Sequence, residues 1–274
     1  MATRSKKSPT DLASVKGRLH TRIAKAPSLF IALDYDGTLV PIAERPELAK
    51  PTEETVKILQ TLSTTSGVCL AVVSGRNLEI LRGFLPIPNL VLAGLHGLEV
   101  WPLVDRPASR IDVHVVRAGL DRLIEAVKEK VEGGQLPRIE DKRHGVSFHF
   151  RGENPPVATK MRSLVTAAFR EIEEGSGLIL VAGKQVLEAR PEGVDKGTST
   201  LAIQDQLAPG SLPIIVGDDI TDEDLFDAYA KKGITVRVGG GTKKTSARYA
   251  LKKPADLVAW LGEIEAVWRE RGGG

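Results

Sequence analysis

One cysteine, Cys69, is all that this chain of 274 residues contains, so no internal disulfide can form. It lies in the apolar run "GVCLAVV" and reads as a reduced core residue. Long hydrophobic runs are also missing. The longest apolar stretches are strand-sized, which excludes a helical membrane span within the sequence. The first 28 residues have no continuous apolar core of the secretory-signal kind. No solenoid repeat and no long low-complexity segment occurs. These absences point to a reduced, cytoplasmic protein with no membrane partner.

The charge balance is uneven. The net charge is +3 and the sequence pI about 8.9, but residues 1–27 hold seven Lys or Arg against one acid. The remaining residues carry a net charge of −3. The basicity therefore belongs to the N-terminal segment, read here as a solvated basic tail (1–27) leading into an amphipathic first helix. Nucleic-acid binding is not expected from so local a surplus.

Strand-like runs ending in polar clusters recur: "SLFIALDYDG", "GVCLAVVSGR", "NLVLAGLHG" and "SLPIIVGDD". Between the first two, "PTEETVKILQTL" sets Val56, Leu59 and Leu62 on one helical face behind a Pro-Thr start. Strands alternating with helices predict an α/β fold, a three-layer Rossmann-like core with a parallel sheet covered on both faces. Ligands of such sheets bind beyond the carboxyl ends of the strands. The middle third differs. Leu120, Leu123, Ile124, Val127 and Val131, then Val157, Met161, Leu164, Val165, Ala168 and Ile172, form two helical stripes. Each stripe precedes two short strands. This predicts an inserted α+β cap of αββαββ form over 103–186, splitting the core into 28–102 and 187–274. In "GVSFHFR" Val146, Phe148 and Phe150 share the apolar face, and Ser147, His149 and Arg151 the polar one.

The stretch "LFIALDYDGTLVPI" (29–42) poses a chemical question: a buried strand ends in two carboxylates, Asp34 and Asp36. Like charges so close raise each other's pKa, so a cation between them or a chemical role for one is required. Three other segments end in functional-looking residues: Ser74 in "CLAVVSGR", Lys196 in "RPEGVDKGTS", and Asp218 and Asp219 in "LPIIVGDD". Singly, each has a plain structural reading. Asp36-Gly37-Thr38 is a turn, Ser74 a cap, Lys196 a surface lysine, and "DDITDED" an acidic helix start with Thr221 and Asp224 as a capping box.

Together, and in this order, the four segments resemble the motifs of the haloacid dehalogenase superfamily of phosphotransferases. That resemblance implies a carboxylate nucleophile at Asp34 and an acid–base at Asp36. Ser74 and Lys196 would hold the phosphoryl group. A magnesium ion would be bound by the Asp34 carboxylate, the Asp36 carbonyl and Asp218, which also answers the question of the paired acids. Asp219 and Asp222 would lie behind this first layer, Asp222 with Glu223 shaping the site without binding metal.

The resemblance narrows further. "DYDGTLVPI", "VVSGR", "LAGLHGLEVW", "IEDKRHGVSFHFR", "VLEARPEGVDKG" and "VGDDITDEDLF" resemble segments of the trehalose-6-phosphate phosphatases, over about Leu29 to Leu261. It implies a sugar-phosphate substrate and functional coupling to a trehalose-6-phosphate synthase. It places Arg76, His96 and Gly97 around the substrate pocket, and Glu140, Lys142, His149, Arg151 and Glu188 at the sugar. Leu95 departs from the pattern, standing where a small residue is common. A structural salt bridge on a solvated sheet remains open for Glu140 and Lys142. So do other activities: sucrose-phosphatase, phosphomannomutase and a non-catalytic sugar-phosphate sensor. The glycine-rich "VRVGGGTKKTSA" lacks a full phosphate-loop fingerprint and reads as a turn between core elements.

Overall fold

Strand β2 (Leu29–Leu33) is apolar at every position because both its faces are covered. Leu29, Ile31 and Leu33 point into one hydrophobic cluster, and Phe30 and Ala32 into another on the opposite side of the sheet. Each buried Leu, Ile or Phe here contributes about 1.5–3 kcal/mol by leaving water. In the computed structural model, which describes residues 6–102, 111–131, 136–142, 144–183, 185–240 and 244–271, the chain divides into two compact units.

The first unit spans Met1–Arg106 and Asp195–Gly274. Its elements are β1 (Thr10–Asp11), α1 (Lys16–Ala24), β2, α2 (Glu53–Thr64), β3 (Val68–Val73), α3 (Leu78–Phe84), β4 (Val91–Gly94) and β5 (Glu99–Trp101) before the break. After it come α6 (Lys196–Leu207), β10 (Leu212–Gly217), α7 (Glu223–Tyr229), β11 (Ile234–Val238), β12 (Tyr249–Leu251) and α8 (Pro254–Glu270). The eight strands pair in the order β1-β12-β11-β10-β2-β3-β4-β5, all parallel except β4 with β5. The expected α/β layering holds. Parallel pairing brings the carboxyl ends of β2, β3, β4 and β10 to one edge, and Asp34, Ser74, Leu95 and Asp218 each follow directly. Helix α2 starts at Thr52, whose hydroxyl caps the Thr55 amide, and buries Leu59 and Leu62 with Val56 half-buried.

The second unit, Pro107–Val194, contains α4 (Val113–Glu129), β6 (Arg138–Asp141), β7 (Val146–His149), α5 (Pro155–Ile172), β8 (Leu178–Gly183) and β9 (Val186–Pro191). That order is αββαββ. The strands form an antiparallel sheet, β6-β7-β9-β8. Val146, Phe148 and Phe150 pack with Leu120, Leu123, Val127, Met161, Val165 and Ala168 in its core.

Two boundaries differ from the sequence reading. The second unit extends to Val194, past 186, because β9 pairs with both β7 and β8 in the cap sheet. The sequence boundary at 102/103 adjoins residues 103–110, which lie outside the described residues, as do 1–5 of the tail. The rest of the N-terminal segment is not a free tail. Leu12, Leu19 and Ile23 are buried in the main cluster, and β1 adds an edge strand beside β12. Lys16, Arg18 and Arg22 lie on the docked helix α1, and Lys6, before it, pairs with Glu223 at 3.3 Å.

Candidate active site

Asp34 follows β2 directly and its amide bonds Val216 O on the neighbouring strand at 2.9 Å. The loop then closes on itself, with Gly37 N donating to Val40 O and Leu39 N to Tyr35 O. Tyr35 is buried between the two acids' positions, its hydroxyl donating to Ala49 O, so the alternation leaves the aspartates on the other side. Gly37 has φ +85°, and a Cβ there would lie 2.2 Å from Asp218 Oδ2. Only glycine allows this approach.

Lys196 opens α6, whose N-cap is Asp195. Its ammonium donates to Asp34 Oδ1 at 2.6 Å and to Asp222 Oδ1 at 2.7 Å, and its side chain is 3% exposed. Burial works against the charge of Lys196, but Asp222 and Asp34 outweigh it and push its pKa up. Burial raises Asp34 to about 7, opposed by Lys196 and assisted by Asp222 and Asp36. Burial likewise raises Asp218 to about 8, with Asp34, Asp222 and Asp219 adding to it. One ammonium does not neutralise this group of acids.

Carboxylate oxygens of Asp34, Asp218 and Asp222 lie within 4.8 Å of one another. Such a set of oxygen donors, short of positive charge, fits a hard divalent cation. Asp222 therefore belongs to this group of acids. Its other oxygen accepts the amides of Asp218 and Asp219 at 2.9 and 3.0 Å. The capping box accordingly joins Asp219 and Asp222, not Thr221 and Asp224, because a short 3-10 turn, Ile220–Asp222, precedes α7.

Asp36 is held by Arg76 through two bonds, Nε to Oδ2 at 2.7 Å and Nη2 to Oδ1 at 2.6 Å. The guanidinium also lies over the Tyr35 and Phe84 rings, 5.2 and 5.3 Å from their centres. Ser74 is buried, and its hydroxyl accepts the Arg76 amide at 3.2 Å. His96 and Gly97 occupy a turn after β4, tied back by His96 N to Ser74 O. Leu95 and His96 both adopt positive φ, and a Cβ on Gly97 would meet the Ser199 side chain at 2.2 Å. Leu95 thus takes a backbone conformation that suits a smaller residue.

The second unit carries its own polar cluster. Across the sheet, Glu140 pairs in register with Ser147, and Ser147 with Glu188, so the three share a face. His149 Nε2 lies 2.7 Å from Glu140 Oε2, and Lys142 donates to Glu188 Oε1 at 2.9 Å. The His149 hydrogen bond lowers the Glu140 pKa. Arg151 is exposed in the turn after β7.

The sequence reading missed Arg237. It is buried on β11 and donates to Asp218 O at 2.9 Å, with Glu223 3.8 Å away. A lone arginine in the apolar strand "ITVRV" was the available signal. Glu223 is fixed in turn by Thr245 Oγ1 at 2.6 Å and Ser246 N at 2.9 Å.

The sequence model of the Trehalose-phosphatase family matches residues 32–255. A trehalose-phosphate phosphatase of Mycobacterium marinum is 31% identical over 265 residues, 93% of this chain and 65% of the relative. A bifunctional trehalose-6-phosphate synthase/phosphatase of Thermoproteus tenax is 31% identical over 230 residues, 82% of this chain and 30% of the relative. The structure of an Aspergillus fumigatus trehalose-6-phosphate phosphatase superposes with a TM-score of 0.67 at 27% identity, covering 95% of this chain and 99% of that one. The chain spans less than two thirds of the length of the curated relatives it matches.

Proposed function

The chain belongs to the trehalose-phosphatase family, and from that premise we propose that it hydrolyses trehalose 6-phosphate to trehalose and phosphate. The observation that carries the reading is the buried Asp34–Lys196–Asp222 arrangement beside Asp218. Phosphate monoesters resist water because their anionic oxygens repel a nucleophile, so a site must supply fixed positive charge and an aligned attacking group. Lys196 supplies charge and holds Asp34 at its Oδ1. Asp34 attacks phosphorus and forms an aspartyl-phosphate as the sugar oxygen departs. Asp36 gives that oxygen a proton, then takes one from the water that hydrolyses the intermediate. In the resting arrangement Arg76 grips the Asp36 carboxylate. Asp36 must loosen this pairing to become protonated, which makes Arg76 its positioning residue.

Magnesium, held by Asp34 and Asp218 with Asp222 beside them, would neutralise phosphoryl charge. Ser74 donates its hydroxyl to a phosphoryl oxygen. The polar face of the second unit, Glu140, Lys142, His149 and Glu188, supplies donors and acceptors for sugar hydroxyls. The fused synthase/phosphatase relative supports coupling to a trehalose-6-phosphate synthase as a source of substrate.

The test is phosphate release with magnesium from trehalose 6-phosphate, sucrose 6-phosphate, glucose 6-phosphate and mannose 6-phosphate. Selective release from the first, lost with chelator and in Asp34→Asn, is expected. Preference for another sugar would keep the chemistry and overturn the substrate. No release from any would overturn both.

A further inference from the structure

Away from the acid cluster, the first unit has a cavity of about 310 Å³ lined by Lys7, Arg18, Thr245, Ser246 and Arg248, with Ser8 at its edge. Among the described residues, no acidic side chain lines it. Arg18 also lines a neighbouring cleft with Arg22 and Lys25, so the positive surface continues beyond the cavity. Its backbone is fixed. Lys7 and Thr245 exchange both amide bonds, and Thr10 N donates to Arg248 O at 2.9 Å.

Two donors in this wall have no partner. The Ser246 hydroxyl is buried, its residue 2% exposed, and bonds nothing. The Arg248 Nε is buried and equally unpaired, although Nη2 of the same group reaches Ala230 O. A buried polar group without a partner carries a cost that a native structure seldom bears without reason. Both groups can donate; Lys7 and Arg18 share the lining with them, and the Glu223 carboxylate behind it is already bonded by Thr245 Oγ1 and the Ser246 amide. An anionic acceptor would satisfy both, and the cavity has small-molecule dimensions.

We propose that this cavity is a second anion site, distinct from the catalytic one, that binds inorganic phosphate or a phosphate monoester. Ser246 and Arg248 Nε donate to its oxygens, and Lys7 and Arg18 balance its charge. The site backs onto the acid cluster through Thr245 and Ser246, which hold the Glu223 carboxylate next to Asp222. Ser246 and Thr245 end the glycine-rich segment that in sequence lacked a complete phosphate-loop pattern.

The experiment is an amide ¹H–¹⁵N titration of the metal-free chain with inorganic phosphate at constant ionic strength. Saturable shifts at Ser246, Ala247 and Arg248 are expected, and they persist in Asp34→Asn. Arg18 is exposed, so Arg18→Glu keeps the fold and weakens binding at least about tenfold. Ser246→Ala loses no internal hydrogen bond, keeps its Tm and weakens binding several-fold. Shifts that do not saturate, that stay confined to the Asp34 and Lys196 surroundings, or that are unchanged in Arg18→Glu overturn the proposal. Glucose 6-phosphate then separates the sources. Displacement of phosphate at lower concentration assigns a monoester, and failure to displace assigns inorganic phosphate. Equal shifts from glucose alone overturn the anion assignment.

Discussion

The two units handle charge in opposite ways. In the first, Lys196, Asp34 and Asp222 are almost wholly removed from water, with side chains 3%, 6% and 1% exposed. In the second, the pairs stay nearer solvent: His149 and Glu140 are 21% and 33% exposed, Lys142 and Glu188 each 12%. Burial makes charges costly and strong, which suits a site that must stabilise a changing charge. A wetter face can exchange its internal pairs for hydroxyls of a ligand at small cost. The proposed function gives bond-making to the buried set and sugar recognition to the wetter one.

Breaking the buried side should have the largest effect. Asp34→Asn is expected to lower turnover at least about 10³-fold with the fold retained, read by phosphate release and far-UV circular dichroism. Lys196→Met should abolish activity and also destabilise, by about 3–5 kcal/mol in denaturant titrations, because it leaves Asp34 and Asp222 buried without their cation. Magnesium should raise Tm and release protons on binding near neutral pH. Folding raises the pKa of Asp34 to about 7 and of Asp218 to about 8, so the metal-free fold binds protons that ionised ligands must lose. Apparent metal affinity therefore rises with pH up to about 8 and levels off above it, measured by calorimetry in buffers of different ionisation enthalpy.

The wetter side should respond more gently and more selectively. Glu188→Gln is expected to cut kcat/KM for trehalose 6-phosphate by about 10–100-fold while hydrolysis of a small aryl phosphate is kept. Equal loss of both activities would erase the division between the units. The smallest effect is His149→Ala. Folding lowers the Glu140 pKa through the His149 hydrogen bond, so this pair stabilises the fold above the ordinary glutamate pKa. That contribution is lost as pH falls through the lowered value. Removing His149 should flatten the acid limb of the stability–pH curve by about 0.2–1 kcal/mol.

Much of this contrast was legible in residue patterns. The run Leu29–Leu33 and the stripes of α4 and α5 follow from periodicity, and the αββαββ order follows from counting them. The places of Asp34 and Asp218 were legible because each follows a strand at one edge of the parallel sheet, and that of Lys196 because it opens a helix. Arg237 was not, since its partner is the Asp218 carbonyl just past the end of β10, a contact that no local pattern encodes. The cap on α7 was misplaced because a 3-10 turn, Ile220–Asp222, comes before the helix. The pairing of Arg76 with Asp36, across 40 residues of sequence, was not legible, whereas a place around the substrate pocket was expected of Arg76. The docking of α1 was underestimated because its two buried residues, Leu19 and Ile23, are sparse among cations.

The central claim is that Asp34 is the atom donor to phosphorus. It is tested most directly by quenching the enzyme in acid during turnover of trehalose 6-phosphate and sequencing its peptides by mass spectrometry. The account predicts one phosphoryl group on Asp34, in the peptide that contains "LDYDGT", and none in Asp34→Asn. Rapid phosphate release with Asp34 never phosphorylated would contradict it, because water would then attack phosphorus directly.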